Sequence, residues 1–271
     1  GAYRLCDVDQ NSQIDFSDKC IVTRAIGTHY DYGRNILNVQ ISTIENRNEW
    51  LINFNNLIEF GIGMRYQNIA DDIHEYEFID SAGYVTANQY IQNQFNISSN
   101  NYFGYLQYSF FDQDSSHIIN TGFRFNYMDW TNQLLLSPRV QYQYRPSWSV
   151  PTRINFSAGL YHQHPQYREF RNREGKINKD VTAQKSLQFI SGIDRFLTLW
   201  GRPFIFTTQA YYKYLWDLNP YEIDNVRIRY YADNIARGYA SGLDIRINGE
   251  FIAGTQSWFS LGLLKTMEDI E

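Results

Sequence analysis

The stretch from Trp50 to Tyr66 reads WLINFNNLIEFGIGMRY, and its alternate residues differ in kind. The even positions are Trp50, Ile52, Phe54, Asn56, Ile58, Phe60, Ile62, Met64 and Tyr66, nearly all apolar or aromatic. The odd positions are Leu51, Asn53, Asn55, Leu57, Glu59, Gly61, Gly63 and Arg65, most of them polar or small. Successive side chains of a strand point to opposite faces, so the pattern predicts a strand with one greasy face and one mostly wet face. A strand in a globular domain usually runs about five or six residues, and this pattern persists about three times as long. A tilted strand crossing a bilayer needs about nine to eleven residues. The stretch therefore predicts a membrane-crossing strand whose surplus projects on one side.

The same alternation recurs along the chain. It covers residues 35–44, 102–111, 117–127, 134–145, 153–163, 187–198, 204–215, 239–252 and 257–266, which with 50–66 makes about ten strands. Leu134, Leu136, Val140, Tyr142 and Tyr144 alternate with Ser137, Arg139, Gln141, Gln143 and Arg145, so the arginines fall on the wet face. The sorting matters because Arg at a bilayer midplane costs about 2–4 kcal/mol. Phe123 and Phe125 against Arg124 and Asn126, and Leu243, Ile245 and Ile247 against Asp244, Arg246 and Asn248, sort alike. The segment 187–198 sorts least clearly.

Between these strands the connections alternate in length. Residues 45–49, 112–116, 146–152, 199–203 and 253–256 read as short turns; 67–101, 164–186 and 216–238 read as long loops, with 128–133 a short link on the long-loop side. Outer-membrane barrels have short periplasmic turns and long external loops. The expected fold is thus all-β, an antiparallel transmembrane barrel in a bacterial outer membrane. On this register both ends of the sequence lie on the external side, which is unusual for a whole barrel, so the sequence is expected to be a piece of a larger one. Residues 1–34 are expected to form an external loop and 35–271 part of the barrel.

Composition narrows the classes. The chain has 271 residues, 17% of them aromatic, a formal net charge of −5 and a mean hydropathy of −0.49. A basic stripe for nucleic-acid phosphates is missing, so that class of partner is excluded. A helical membrane span would need about twenty consecutive apolar residues, and none occur. The soluble-looking hydropathy carries little weight, because every second residue of a membrane barrel faces a polar lumen. Gly1-Ala2-Tyr3-Arg4 does not read as a secretion signal.

Near the N-terminus, Cys6 and Cys20 flank the segment DVDQNSQIDFSD. Oxygen ligands at loop positions 1, 3, 5, 7, 9 and 12 suit Ca²⁺, and Asp7, Asp9, Asn11, the Gln13 carbonyl, Asp15 and Asp18 occupy those positions. Ser12 stands where a glycine usually makes the sharp turn, and Asp18 replaces the longer bidentate glutamate, so a solvated acidic turn is the competing reading. A Cys6–Cys20 disulfide would close the loop and contribute on the order of 3 kcal/mol, although two free thiols would look the same. Elsewhere, His162 and His164 are candidate metal or substrate contacts with no third ligand beside them. Tyr167, Trp216 and Tyr221 are candidates for stacking on a sugar or peptide, with interfacial aromatic girdles as the alternative. Ser115, Ser116 and His117 adjoin Asp112 and Asp114 in a tight turn with no sheltered pocket, and no nucleophile elbow, phosphate loop or zinc spacing is present, so no enzyme activity is expected.

The stretches LLLSPRVQYQYRP (134–146), SAGLYHQHPQYRE (157–169) and FIFTTQAYYKYLWDLNPYEIDNVRIRYYADNIARGYASGLDIRINGEF (204–251) resemble the barrel of TonB-dependent outer-membrane receptors, in the branch that bears a carboxypeptidase-regulatory-like domain. The likeness is clearest from Pro138 to Ile270 and most specific at Asn234–Asp244. Such a resemblance implies a barrel of twenty-two strands plugged by an N-terminal domain, importing a nutrient when a TonB-type energising complex pulls on the plug. It also implies contact with outer-membrane lipid and leaves room for a surface lipoprotein partner. On that reading the chain supplies about ten strands of the wall and no plug. The alternative expectation is an accessory or structural barrel that serves as a binding partner in a larger outer-membrane assembly.

Overall fold

The computed structural model describes residues 27–81, 84–224 and 227–270. Their strands are β1 (Gly27–Asn53), β2 (Asn56–Ser81), β3 (Tyr84–Phe111), β4 (His117–Met128), β5 (Gln133–Tyr144), β6 (Thr152–Gln163), β7 (Gln184–Leu199), β8 (Arg202–Leu218), β9 (Tyr221–Asp224), β10 (Arg227–Tyr230), β11 (Ala236–Ile252) and β12 (Thr255–Ile270). Ten of them form one sheet in the order β1-β2-β3-β4-β5-β6-β7-β8-β11-β12, while β9 and β10 pair as a separate hairpin. The ladders from β3 to β12 are all antiparallel. Among the described residues the sheet is open, with β1 and β12 at its edges.

The ten strands of the sheet correspond one for one to the ten alternating segments, but the first three differ in extent. Residues 50–66 are not one strand. Phe54 and Asn55 form a turn between β1 and β2, closed by Asn53 Oδ1, which accepts from the Asn55 backbone N–H at 2.9 Å and from Asn56 Nδ2 at 2.7 Å. The turn keeps odd residues of both strands on one face: Arg65 Nε donates to Thr43 Oγ1 at 3.4 Å. Alternation thus stays in phase across a reversal of the chain, and a hairpin reads as a single strand. The expected turn at 45–49 lies inside β1, where Glu45 and Arg47 pair at 2.8 Å. Most of the expected loop 67–101 is strand, in β2 and β3. β1 likewise begins at Gly27, inside the segment expected to be loop. Cys6, Cys20 and the proposed ligands Asp7, Asp9, Asn11, Gln13, Asp15 and Asp18 lie outside the described residues.

Where β1, β2 and β3 pass Asn38, Ala70 and Phe95 the structure divides into two compact units. In the unit containing residues 70–95, Asn35 Nδ2 donates to Glu75 Oε1 at 3.0 Å, and Tyr32 stacks on Tyr76 with ring centroids 4.5 Å apart. The other unit, residues 39–69 and 96–271, holds the remaining strands.

In this second unit register fixes the two faces of the sheet. One row of cross-strand partners runs Tyr142, Phe156, Ser191, Ala210, Leu243, Leu263; a row on the opposite face runs Gln143, Asn155, Gly192, Gln209, Asp244, Gly262. The apolar face is the exposed one: Ile62 leaves 63% of its surface uncovered and Leu136 leaves 53%. Aromatic side chains collect at two levels of that face. On the long-loop side Tyr102 and Tyr127, Tyr212 and Tyr239, and Tyr214 and Trp216 stack in pairs. Toward the short turns His117 stacks with Tyr144, and Phe204 sits edge-on to Trp200 and Phe251. Tyr127 and His117 are ten residues apart on β4, about 33 Å at ~3.3 Å per residue. Tilted by ~40°, that is about 25 Å, the height of the apolar band of a membrane barrel.

The turns follow from local chemistry. Leu199 pairs with Arg202 across Trp200 and Gly201, both at positive φ (53° and 74°), a two-residue turn whose twist matches that of the strands. In the opening stretch, Gly61 makes room for a ring on the polar face, since a Cβ there would lie 2.6 Å from the Tyr105 side chain.

Candidate functional site

Two features could meet a solute: the polar face of the sheet and a module at its long-loop rim. On the polar face Gln141, Asn155, Ser157, Thr207 and Gln209 line a recess of about 350 Å³ together with the Arg153–Asp194 pair, whose closest atoms are 3.8 Å apart. Thr207 Oγ1 donates to Asp194 Oδ1 at 2.8 Å. Nearer β2, Gln107 Nε2 donates to Glu59 Oε2 at 2.7 Å. The face is rich in amides and hydroxyls with charges of both signs, which suits passage of a hydrated solute and not capture of an apolar one.

The rim module is built from the connections β6–β7 and β8–β11. A 3-10 turn at Tyr167–Phe170 buries Phe170 completely, against the edge of Trp130 at 6.5 Å. Val181, Ala183, Ala232 and Ala236 complete this small core. Three asparagines, distant in sequence, fasten it. Asn178 Nδ2 donates to the Ala232 carbonyl at 2.9 Å, and Asn219 Nδ2 to the Glu169 carbonyl at 2.9 Å. Asn234 Oδ1 accepts from the Thr182 backbone N–H at 2.6 Å, while its Nδ2 donates to the carbonyls of Thr182 and Asp217. The module is tied to the sheet where the Ala183 N–H donates to Gln133 Oε1 at 3.0 Å. Asn234 opens the motif on which the family resemblance is most specific, and the structure shows its side chain acting as a clasp.

The candidate residues from the sequence do not converge on one site. His162, near the end of β6, places Nδ1 3.0 Å from Ser137 Oγ, whereas His164, just past β6, places Nε2 3.1 Å from Asn126 Oδ1. Burial, with a smaller contribution from the neighbouring His162, pushes the His164 pKa down to about 4. At neutral pH the ring is therefore uncharged, Nε2–H donates to Asn126 and Nδ1 is left as an acceptor. Among the described residues no group of three or more His, Cys, Asp or Glu side chains is arranged to hold a metal ion. The Tyr167 hydroxyl accepts from Arg168 Nε at 2.9 Å, at the start of the 3-10 turn. Tyr221 lies exposed on β9 with its ring 5.8 Å from that of Tyr230. Trp216 belongs to the aromatic band of the apolar face, the alternative reading for such residues.

Sequence reasoning missed Phe170 and the three asparagines. No periodicity marks a buried ring in an irregular connection, and the partners of these amides lie about fifty residues away in sequence. Glu169 is also buried here; desolvation raises its pKa, opposed by hydrogen bonds from the Gln166 backbone and the Gln184 side chain. At the same end of the sheet Ser99 Oγ, Asn101 Oδ1, Thr131 Oγ1 and His164 Nδ1 are buried with no hydrogen-bond partner among the described residues.

No protein-family model and no curated protein matches the sequence. Solved structures do match in fold. The chain is similar to the copper transporter OprC, with a TM-score of 0.63 at 13% identity over 86% of this chain and 39% of that one. It is also similar to the outer-membrane transporter YddB from Escherichia coli, with a TM-score of 0.58 at 11% identity over 86% of this chain and 34% of that one. A third is the RagAB peptide importer in its closed-closed state, with a TM-score of 0.54 at 12% identity over 90% of this chain and 31% of that one. The chain thus spans between 31% and 39% of the length of these proteins, and it has the antiparallel barrel-wall fold of outer-membrane transporters.

Proposed function

We propose that this chain is part of the wall of an outer-membrane importer of the TonB-dependent kind, with the rim module on the external side and the polar face lining the route of a nutrient. The observation that carries the reading is the inside-out sheet: an exposed apolar face bounded by two aromatic bands, backed by a face of amides and paired charges. The polar recess supports passage, and the ordered rim supports capture before passage. Energy would come from a TonB-type complex acting through a plug, and a surface lipoprotein would find its docking site on the external loops.

The test uses the full-length protein in its own membrane. It is expected in the outer-membrane fraction with heat-modifiable electrophoretic mobility, and uptake of its nutrient is expected to stop when either its gene or the energising complex is deleted. Recovery in the soluble fraction would end the membrane reading. Recovery in the membrane with unimpaired uptake would favour the accessory barrel. We propose in addition that the segment Asp7–Asp18 binds Ca²⁺ within a loop closed by Cys6 and Cys20, on the strength of its ligand spacing. Metal analysis before and after replacing Asp7 and Asp9 by Asn checks this: unchanged calcium content would refute it.

A further inference from the structure

On the polar face, β4 and β5 bring two arginines together. Arg124 stands opposite Ser137, and Arg139 stands opposite Gly122, two residues further along the same ladder. The two side chains therefore share a face as diagonal neighbours, with Cβ atoms about 7–8 Å apart. Like charges so placed repel each other unless an anion lies between them. The same two rows continue through Tyr105 and Gln107 on β3 and Gly159 on β6, with no carboxylate among them. Gly122 and Gly159 leave Arg139 without a flanking side chain on either adjoining strand, and a Cβ at Gly159 would lie 3.1 Å from Arg139 Cβ. Arg124 is exposed and Arg139 half-buried, and among the described residues neither guanidinium makes a hydrogen bond or an ion pair.

The acidic side chains Glu45, Glu59 and Asp194 of this face are held elsewhere. Glu45 acts on Arg124 only through space, because Arg47 donates to both of its oxygens, at 2.8 and 2.9 Å. Glu59 accepts from Gln107 and lies on β2, three strands from Arg139; Asp194 pairs with Arg153 and accepts from Thr207. Other cations of the face are engaged as well. Arg65 lies over the Phe103 ring and donates to Thr43, Lys213 lies over Tyr211, and Arg246 lies over Trp258. We propose that Arg124 and Arg139 together form a binding site for an oxyanion on the import route, so that the nutrient carries a carboxylate or phosphate group. A guanidinium presents paired N–H donors that match such a group bidentately, and an anion held between the two arginines relieves their repulsion. A neutral solute does neither. The inference rests on the importer reading above and deepens it by naming the chemical class of the solute.

The test treats the full-length protein in outer-membrane vesicles with the arginine reagent phenylglyoxal and maps the modified positions by peptide mass spectrometry. Arg124 and Arg139 are expected to react. Citrate or inorganic phosphate is expected to slow the reaction at both, while glucose at the same concentration leaves it unchanged, and the more protective anion identifies the oxyanion. Calorimetric titration of the purified full-length protein with that anion is expected to show binding that Arg124→Gln with Arg139→Gln weakens roughly tenfold or more. Arg65→Gln, which removes an engaged cation from the same face, is expected to change it little. Arginines that stay unreactive on an intact barrel because another part of the protein covers them, no protection by either anion, or equal protection by glucose overturns the site. Equal binding by the wild type and the double variant, or an equal loss in Arg65→Gln, does the same, and each of these results leaves the importer reading standing. A protein without heat-modifiable mobility would instead remove the membrane reading.

Discussion

Val140, near the middle of β5, leaves 45% of its surface exposed, whereas Phe170, in the connection between β6 and β7, leaves none. The two regions obey opposite rules because they face different solvents. On the membrane reading proposed above, side chains of the apolar face gain nothing by hiding from hydrocarbon, and the strands hold together through their backbone ladders. The rim module faces water, so it builds a small conventional core and secures it with side-chain amides where regular backbone pairing gives out. The sheet reads as alternation along the chain; the module can be read only by knowing which distant segments meet.

The comparison can be broken from either side. Phe170→Ala should cost the module about 3–5 kcal/mol, the range for a fully buried aromatic. Hydrogen exchange should then accelerate across residues 167–183 with little change in β4–β8; equal acceleration in both would mean that the two regions are one cooperative unit. Val140→Arg on the apolar face should cost about 2–4 kcal/mol in lipid, while Gln141→Arg on the polar face should fall within about 0.5 kcal/mol of the wild type. Urea unfolding in liposomes measures both, and similar costs on the two faces would remove the membrane assignment. Asn234→Ala deletes the clasp between Thr182 and Asp217 and should cost the module about 1–3 kcal/mol, seen as faster exchange at Thr182.

The smallest expected effect is pH-dependent. His164 has a folded pKa of about 4 against an ordinary value of 6.5, so on acidification the unfolded module takes up its proton first. The stability is fully present above pH 6.5 and is lost as pH falls from there toward 4. Partial exposure screens the effect to about 1–2 kcal/mol. The raised pKa of Glu169 works in the opposite sense, since its protonation on acidification relieves a buried charge. Wild type and His164→Gln should therefore be compared directly. Exchange in residues 164–183 should rise more between pH 7.5 and pH 5 in the wild type, and identical pH responses would show that the ring is not buried neutral.

Much of the sheet was legible in the residues, and the errors have a physical cause. Alternation survives wherever one face meets hydrocarbon and the other does not, which is why β4 to β8, β11 and β12 were found close to their bounds. It fails as a boundary marker at Asn53–Asn56, because that turn preserves the phase of the two strands it joins. It also fails along the outer parts of β2 and β3: Asn68–Asp72 carries too many polar residues to sort cleanly, and in β3 Ile91, Phe95 and Ile97 hold odd positions against Gln92, Gln94, Asn96 and Ser98, out of phase with the even-numbered Tyr102, Leu106 and Tyr108. Among the candidate site residues, Trp216 stacks on Tyr214 on the apolar face and Tyr221 lies exposed on the β9–β10 hairpin, positions that aromatic chemistry in the sequence does not distinguish.

The sequence by itself determined the all-β class, the number of strands in the described sheet, and the greasy face of the clearly alternating strands, though not of β7, because a two-residue period is a local property. Tertiary structure alone decided the burial of Phe170, the clasp at Asn234 and the neutral His164. Each depends on residues brought together from different strands or from connections about fifty positions apart, and no local pattern encodes which of them become neighbours.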